Sequence, residues 1–523
     1  MIKSVSRVLV TVVTMLASSA AVWAEEEFQN PKAVIPPVAR QNRISGGESF
    51  PPLPLPVTPL RRTERKKEPA PPALVGKINL MQLAEPGGGG GGGGAGRGRA
   101  GGVVAGAYPS VTLDIENLMS WTNAQLQLRY RYVETDLSKF SFSPTELPVL
   151  YLTGWTPLPT LTDKTKQNLR EYLLAGGTLI VHANCGRPEF NDSFRRLQGE
   201  LFPDRPMGWL PPDHPIYSCL HKVEKMRFRD GDGPWKEADY RTLLMGMNIG
   251  CRAAIIYSPI DISWGWDANS RPIKGGILFD QGDSLKLGAN MLTYVLANYE
   301  YARAFQITKI YHQADLATRD QLVVAQLMHA GDWDPTPHGL PNLLKFIDGN
   351  STLNVQFKRQ PVALDDLDVL KQPLLYMTGL REFKLQEKET KRLGDYLAAG
   401  GILFGESAMA SEQFEKSFKT MVSAALGGGA GAKFEALPPD HPIFNNVFRL
   451  REVKYSPLVE TIRPDLKTPY LEAVIKDGVP VVIWSHFSLS NGWEQLPNPY
   501  AKAYEDGDAL KLGTNVLVYA LTH

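Results

Sequence analysis

Cysteine is scarce in this 523-residue chain: only Cys185, Cys219 and Cys251 occur, all in its first half. Three scattered cysteines are no disulfide framework, and in an oxidising compartment an odd count leaves at least one thiol free or paired between chains. If Cys219 and Cys251 pair, Cys185 is left over. Charge of one sign is also missing, since 56 Lys and Arg face 55 Asp and Glu. The whole-molecule field therefore gives no reason to expect nucleic acid or anionic lipid as partner. Beyond the amino terminus no apolar run approaches the roughly 18 residues of a membrane span.

The first segment, 1–24, has the layout of a secretory signal. Lys3 and Arg7 precede an apolar stretch from Val8 to Val22, and Val22-Trp23-Ala24 would place cleavage before Glu25. The expected location is exported, periplasmic or extracellular. Residues 25–72 lack hydrophobic periodicity and carry Pro51, Pro52, Pro54, Pro56 and Pro59, then Arg61, Arg62, Arg65, Lys66 and Lys67. Such a segment reads as an extended, partly polyproline linker.

Internal repetition organises the rest. Leu150-Tyr151-Leu152-Thr153-Gly154 returns as Leu375-Tyr376-Met377-Thr378-Gly379, and Tyr172-Leu173-Leu174-Ala175-Gly176-Gly177 as Tyr396-Leu397-Ala398-Ala399-Gly400-Gly401. Leu210-Pro211-Pro212-Asp213-His214-Pro215-Ile216 returns as Leu437-Pro438-Pro439-Asp440-His441-Pro442-Ile443. Gly265-Trp266 returns as Gly492-Trp493, and Leu285 to Asn290 as Leu510 to Asn515. A period this long is a whole domain. The reading is two tandem copies, 73–300 and 301–523, with a glycine-rich insertion at 86–106 in the first.

Within copy one, Val149 to Thr153 reads as a buried strand, Thr162 to Ala175 as a helix capped by Thr162, and Thr178 to Ala183 as the next strand. A helix is expected from about Pro188, burying Phe190, Phe194 and Leu197. Copy two repeats the unit with Leu374 to Thr378, Gln386 to Ala399 and Ile402 to Glu406. Val75 to Met81 and Leu322 to Met328 read as first strands, and a helix follows around Pro341 to Ile347. Strand, helix and parallel strand in succession require a right-handed crossover, so the fold class is α/β: two doubly wound sandwiches with mainly parallel sheets. The tract Gly87 to Gly94 lacks the Lys-Ser/Thr of a phosphate loop, and no cofactor is expected.

Ligands of open parallel sheets bind outside the carboxyl ends of the strands. There lie Asn184-Cys185-Gly186-Arg187-Pro188-Glu189. A thiol between a strand end and a helix amino terminus faces unpaired N–H groups, which favours a nucleophile; a lone cysteine beside a buried strand also serves as an inert apolar group. His214 is a possible base, with Glu189 or Asp261 assisting, while Asp213 and Asp440 suit turns by accepting backbone N–H bonds. His182 and Cys185 make only a sparse zinc pattern, and no metal is expected. Trp264 and Trp266, with Asp267, offer either a carbohydrate platform or core aromatics.

The stretch from Tyr172 to Gly186, an amphipathic helix, Ala-Gly-Gly, a buried strand and a turn with cysteine, resembles the nucleophile region of class I glutamine amidotransferase-like folds. The Asp-His-Pro motif is similar to ThuA-like trehalose-utilisation domains. Through the LYLTG strand, the Gly-Gly strand, Phe190 to Phe194, LPPDHP and the Gly-Trp segment, each copy resembles the bacterial domain of unknown function 4159. That resemblance implies an amidotransferase-like, flavodoxin-type sandwich and no settled activity. Amidotransferase elbows place glycine two residues before and after the cysteine, where this chain has Ala183 and Arg187, and no His-x-Glu pair follows.

The copies test one another. Cys185 falls opposite Met409, His182 opposite Glu406, Glu189 opposite Gln413 and Asp261 opposite Ser488, whereas His214 has a counterpart in His441. Any chemistry belongs to copy one, and a histidine present in both copies points to a structural role. The leading expectation is a non-catalytic or weakly catalytic envelope protein that binds a small molecule, glycan or envelope protein, its two domains touching. The rivals are a thiol-dependent hydrolase or transferase using Cys185, and a scaffold of a membrane-associated assembly.

Overall fold

Strands that are apolar at nearly every position must be covered on both faces, and a parallel sheet wrapped by helices does this. In a computed structural model the chain is described at residues 70–78, 113–230, 233–239, 243–267, 277–305, 320–350, 355–366, 371–427, 432–495 and 497–522. The expected signal segment, the expected linker up to residue 69 and the glycine-rich insertion lie outside these.

Copy one contributes β1 (Ala73–Ile78), β2 (Arg131–Thr135), β3 (Val149–Gly154), β4 (Thr178–Ala183), β5 (Gly208–Trp209), β6 (Lys225–Asp230), β7 (Lys236–Asp239), β8 (Met245–Ile249), β9 (Arg252–Ser258) and β10 (Ile277–Phe279). Its main sheet runs β2-β1-β3-β4-β9-β8-β5, and β10-β6-β7 form a small antiparallel sheet. The pairings from β2 to β9 are parallel and the last two antiparallel. Copy two repeats the main sheet as β12-β11-β13-β14-β17-β16-β15. These are β11 (Asp320–Leu327), β12 (Val355–Val362), β13 (Leu374–Gly379), β14 (Ile402–Ser407), β15 (Glu435–Ala436), β16 (Glu472–Lys476) and β17 (Val479–Ser485).

Helices α1 (Asp114–Leu126) and α4 (Gln281–Ala304) bury one face of the copy-one sheet, with Trp266 between them; α2 (Asp163–Leu174) and α3 (Pro188–Leu201) bury the other. Copy two follows with α5 (Gly339–Asn350), α6 (Glu387–Ala398), α7 (Glu412–Ala425), the short α8 (Pro457–Ile462) and α9 (Ser490–Glu494), and α10 (Asp506–Thr522). Here α5 and α10 share one face while α6 and α7 take the other. The sheets are doubly wound, as the sequence implies.

Local rules hold well. Thr162 caps α2 by accepting the Thr165 N–H at 3.2 Å. Pro188 opens α3, whose Phe190, Phe194 and Leu197 are buried. The repeated Gly-Gly has two distinct causes. Gly176 and Gly400 sit at φ +110° and +93°, which side chains disfavour, while a Cβ on Gly177 or Gly401 would enter the ring of Tyr172 or Tyr396.

Candidate functional site

In the parallel part of each sheet the order is second, first, third, fourth and then a last strand. The chain reverses direction across the sheet between the first and third strands, the place beyond whose carboxyl ends such sheets bind ligands. Copy one fills this place with charge. Lys77 stands near the end of β1, and its Nζ lies 2.7 Å from Asp114 Oδ1 at the first residue of α1. The lysine side chain is 16% exposed and the aspartate is fully buried. A carboxylate at a helix start also suits the dipole, and the same oxygen accepts the Ile115 N–H at 2.7 Å.

From Asp114 the network runs across the strands. Tyr151 on β3 donates its hydroxyl to Asp114 Oδ2 at 2.6 Å, and the same hydroxyl meets His182 Nε2 on β4 at 2.6 Å. A phenol has one proton; given to the carboxylate, it leaves His182 Nε2 to donate to the phenol oxygen. His182 Nδ1 lies 3.4 Å from Thr153 Oγ1 and 3.6 Å from Asp261 Oδ1. Burial pushes the imidazole down in pKa, against the pull of Asp261 and Asp114, and pushes the Tyr151 phenol well up. Both ring nitrogens of His182 face protein partners, so the sparse His182–Cys185 zinc pattern gains no ligand from it.

Asp261 ends the chain of contacts. Its Oδ1 accepts the N–H groups of Ser263 and Trp264 at 3.0 and 3.1 Å and the Ser263 hydroxyl at 3.0 Å. Its Oδ2 accepts the Cys185 N–H at 2.8 Å. This carboxylate therefore ties the loop after β9 to the turn after β4.

Copy two builds the same framework from other groups. Register places Gln326 at the Lys77 position and Glu406 at the His182 position, and helix starts place Gly339 at the Asp114 position. The framework bonds recur: Asn117 Nδ2 donates to Trp266 O at 3.0 Å, and Asn342 Nδ2 to Trp493 O at 2.9 Å. Glu406 now does the anchoring. Its Oε2 accepts Leu489 N at 2.8 Å and Ser490 N at 3.3 Å, while its Oε1 accepts the hydroxyls of Tyr376 and Thr378. The loop-holding carboxylate has moved from the loop after β9 in copy one to β14 in copy two. Copy two adds a pair of its own, His338 Nδ1 with Glu494 Oε1 at 3.0 Å.

Residues 105–296 and 323–521 match one family model, described as Domain of unknown function (DUF4159). The chain belongs to this family. Among curated proteins none matches it. The sheet of the first DUF4159 copy draws in β1 from upstream of the matched span, so Lys77 is outside that span and Asp114 inside.

The candidates read from sequence are dispersed. Cys185 is part-buried in a left-handed turn at φ +52°, and burial together with Asp261 pushes its thiol up to about 12. At neutral pH the group is held as the thiol. All three cysteines are free. His214 does not reach Cys185 by any hydrogen bond among the described residues. Its Nδ1 accepts the Ile216 N–H at 3.2 Å, as His441 accepts that of Ile443 at 3.2 Å. The histidine, not the aspartate, caps the turn, which corrects the expected role of Asp213. Asp213 Oδ2 instead accepts the N–H of Glu412 at 3.0 Å. Glu189 is exposed on the first turn of α3.

A carbohydrate platform on Trp264 and Trp266 is overturned by their burial, at 7% and 1% exposed. Trp266 packs over Gly288 and donates Nε1 to Ser284 O at 2.8 Å. The part-buried Asp267 closes the same turn on Ser263 O at 3.3 Å. Lys77, Asp114 and Tyr151 escape sequence reading because no local motif joins them: a glycine-rich insertion separates the first two, and Tyr151 sits in a strand repeated in both copies.

Proposed function

We propose that the mature chain is an exported binding protein, non-catalytic or weakly catalytic, in which copy one takes a small polar ligand, glycan or envelope partner at its strand ends and copy two supports it. The observation that carries this reading is the connected network Lys77, Asp114, Tyr151, His182 and Asp261. Desolvating such ions costs several kcal/mol each before pairing offsets it. Copy two makes the same sheet and helices with Gln326, Gly339, Glu406 and Ser488 in those places. The framework does not need the Lys77–Asp114 pair, so its use lies at the mouth, where Lys77 is part-exposed. The signal-like segment 1–24 supports export. The strand order and a cysteine in a left-handed strand-to-helix turn support an amidotransferase-like origin. A thiol with a pKa pushed up to about 12 and no histidine bonded to it among the described residues speaks against hydrolysis through Cys185.

The test is a thermal-shift panel of small carboxylic acids, amines and oligosaccharides on the mature protein. Hits are retested on Lys77→Gln with Asp114→Gly, which installs the copy-two residues. Stabilisation of the wild type that is lost in the variant supports the reading. Hits that shift both proteins equally move the site elsewhere. Amino-terminal sequencing of the exported protein should begin at Glu25.

A further inference from the structure

The mouth of copy two is lined by the same strand ends as that of copy one, yet it is in contact with protein. Arg381, just past β13, donates Nη2 to Gly246 O at 2.7 Å and Nη1 to Pro206 O at 3.5 Å, both in copy one. A Cβ on Gly208 would enter that guanidinium. Asp332, past β11, accepts Asn248 Nδ2 at 3.3 Å, and Arg205 Nη1 lies 3.4 Å from Asp334 O. The turn between β8 and β9 goes deepest. Cys251 donates its N–H to Pro335 O at 3.2 Å, its carbonyl meets Asn498 Nδ2 at 3.5 Å, and its side chain packs against Leu380, Ala408 and Met409. Met409 stands where copy one has Cys185. Tyr294 stacks on Tyr500 with centroids 5.3 Å apart.

We infer that the strand-end mouth of copy two is a socket whose resident occupant is the antiparallel edge of copy one, centred on Cys251. The turn itself supports this. Gly250 and Cys251 hold φ +58° and +62°, where copy two has Asp477 and Gly478 at +52° and +82°. A cysteine in the left-handed region is strained where glycine is not, and that strain is offset here by burying its side chain in the socket. Asp213 adds a rim contact by capping the amino terminus of α7.

The reciprocal joint, copy two's edge in copy one's mouth, lacks its parts on both sides. Thr156 replaces Arg381, and Pro188, with no N–H, replaces Glu412 as the group that Asp440 would cap. Ile475 and Gly478 replace Asn248 and Cys251, and Ile475 is exposed. The joint therefore closes within one chain and does not propagate as a head-to-tail polymer. The socket stands whatever copy one binds.

Met409→Cys in the mature full chain tests it. Mild oxidation should join the introduced thiol to Cys251, seen as one crosslinked peptide pair that vanishes when Cys251→Ser is added. Before oxidation the introduced thiol should alkylate at least tenfold more slowly in the folded chain than in denaturant. Asp213→Cys with Glu412→Cys tests the exposed rim without touching the packed centre. Either crosslink sustains the socket. A folded chain that forms neither, with the thiol at 409 alkylated as fast as in denaturant, overturns it.

Discussion

Position 182 in copy one is histidine, and its counterpart 406 in copy two is glutamate; the loop beyond has Asp261 in one and Ser488 in the other. One task, accepting the loop N–H groups, is done by a carboxylate in both, from the loop itself in copy one and from a strand in copy two. Moving that carboxylate to Asp261 frees β4 to carry an imidazole beside Tyr151, and Lys77 with Asp114 extends the array to the edge of the mouth. Copy two shows what the fold requires, and the difference shows what copy one adds.

The largest effect should come from breaking the added charge pair. Asp114→Ala leaves Lys77 without its carboxylate, and chemical denaturation should show a loss of about 3–5 kcal/mol. Lys77→Gln with Asp114→Gly should recover much of that, since copy two tolerates these residues. Equal losses in single and double variants would mean that the copies differ in more than these groups.

Next is the displaced carboxylate. Glu406→Ala leaves two loop N–H groups unpaired and should cost about 2–4 kcal/mol. Glu406→His with Ser488→Asp, the copy-one arrangement, should regain at least half. A double variant no better than Glu406→Ala would break the equivalence of the two anchors.

A further effect, shared by the copies, is pH-dependent. Desolvation, with Arg381 adding, pushes His214 down to about 3, and burial holds His329 at about 4. The unfolded chain binds these protons more readily, near pH 6.5. Stability from the neutral rings is therefore present above that value and lost as pH falls toward 4. The slope is at most about 1.4 kcal/mol per pH unit for each group. His214→Asn should flatten the acid limb of stability, and Arg381→Met should raise the titration of His214 followed by NMR. An unmoved His214 would mean that Arg381 does not act on it.

The smallest effect is expected at Cys185. Cys185→Ala should leave stability within about 1 kcal/mol, and the native thiol should resist iodoacetamide at pH 7. Rapid alkylation there would reopen the nucleophile reading.

The sequence alone determined the duplication, the strand–helix–strand units and the helix starts at Thr162 and Pro188, because periodicity, caps and glycine act over a few residues. It also set out the positional differences between copies, since a repeat aligns itself. Tertiary structure decided the rest. Lys77, Asp114, Tyr151, His182 and Asp261 span more than 180 residues and meet only because parallel strands deliver their ends to one edge. Whether Trp266 faced solvent or core, and whether Asp213 capped its own turn or a helix of the other copy, depended on packing. Those contacts are between residues far apart in the chain, and no local pattern encodes them.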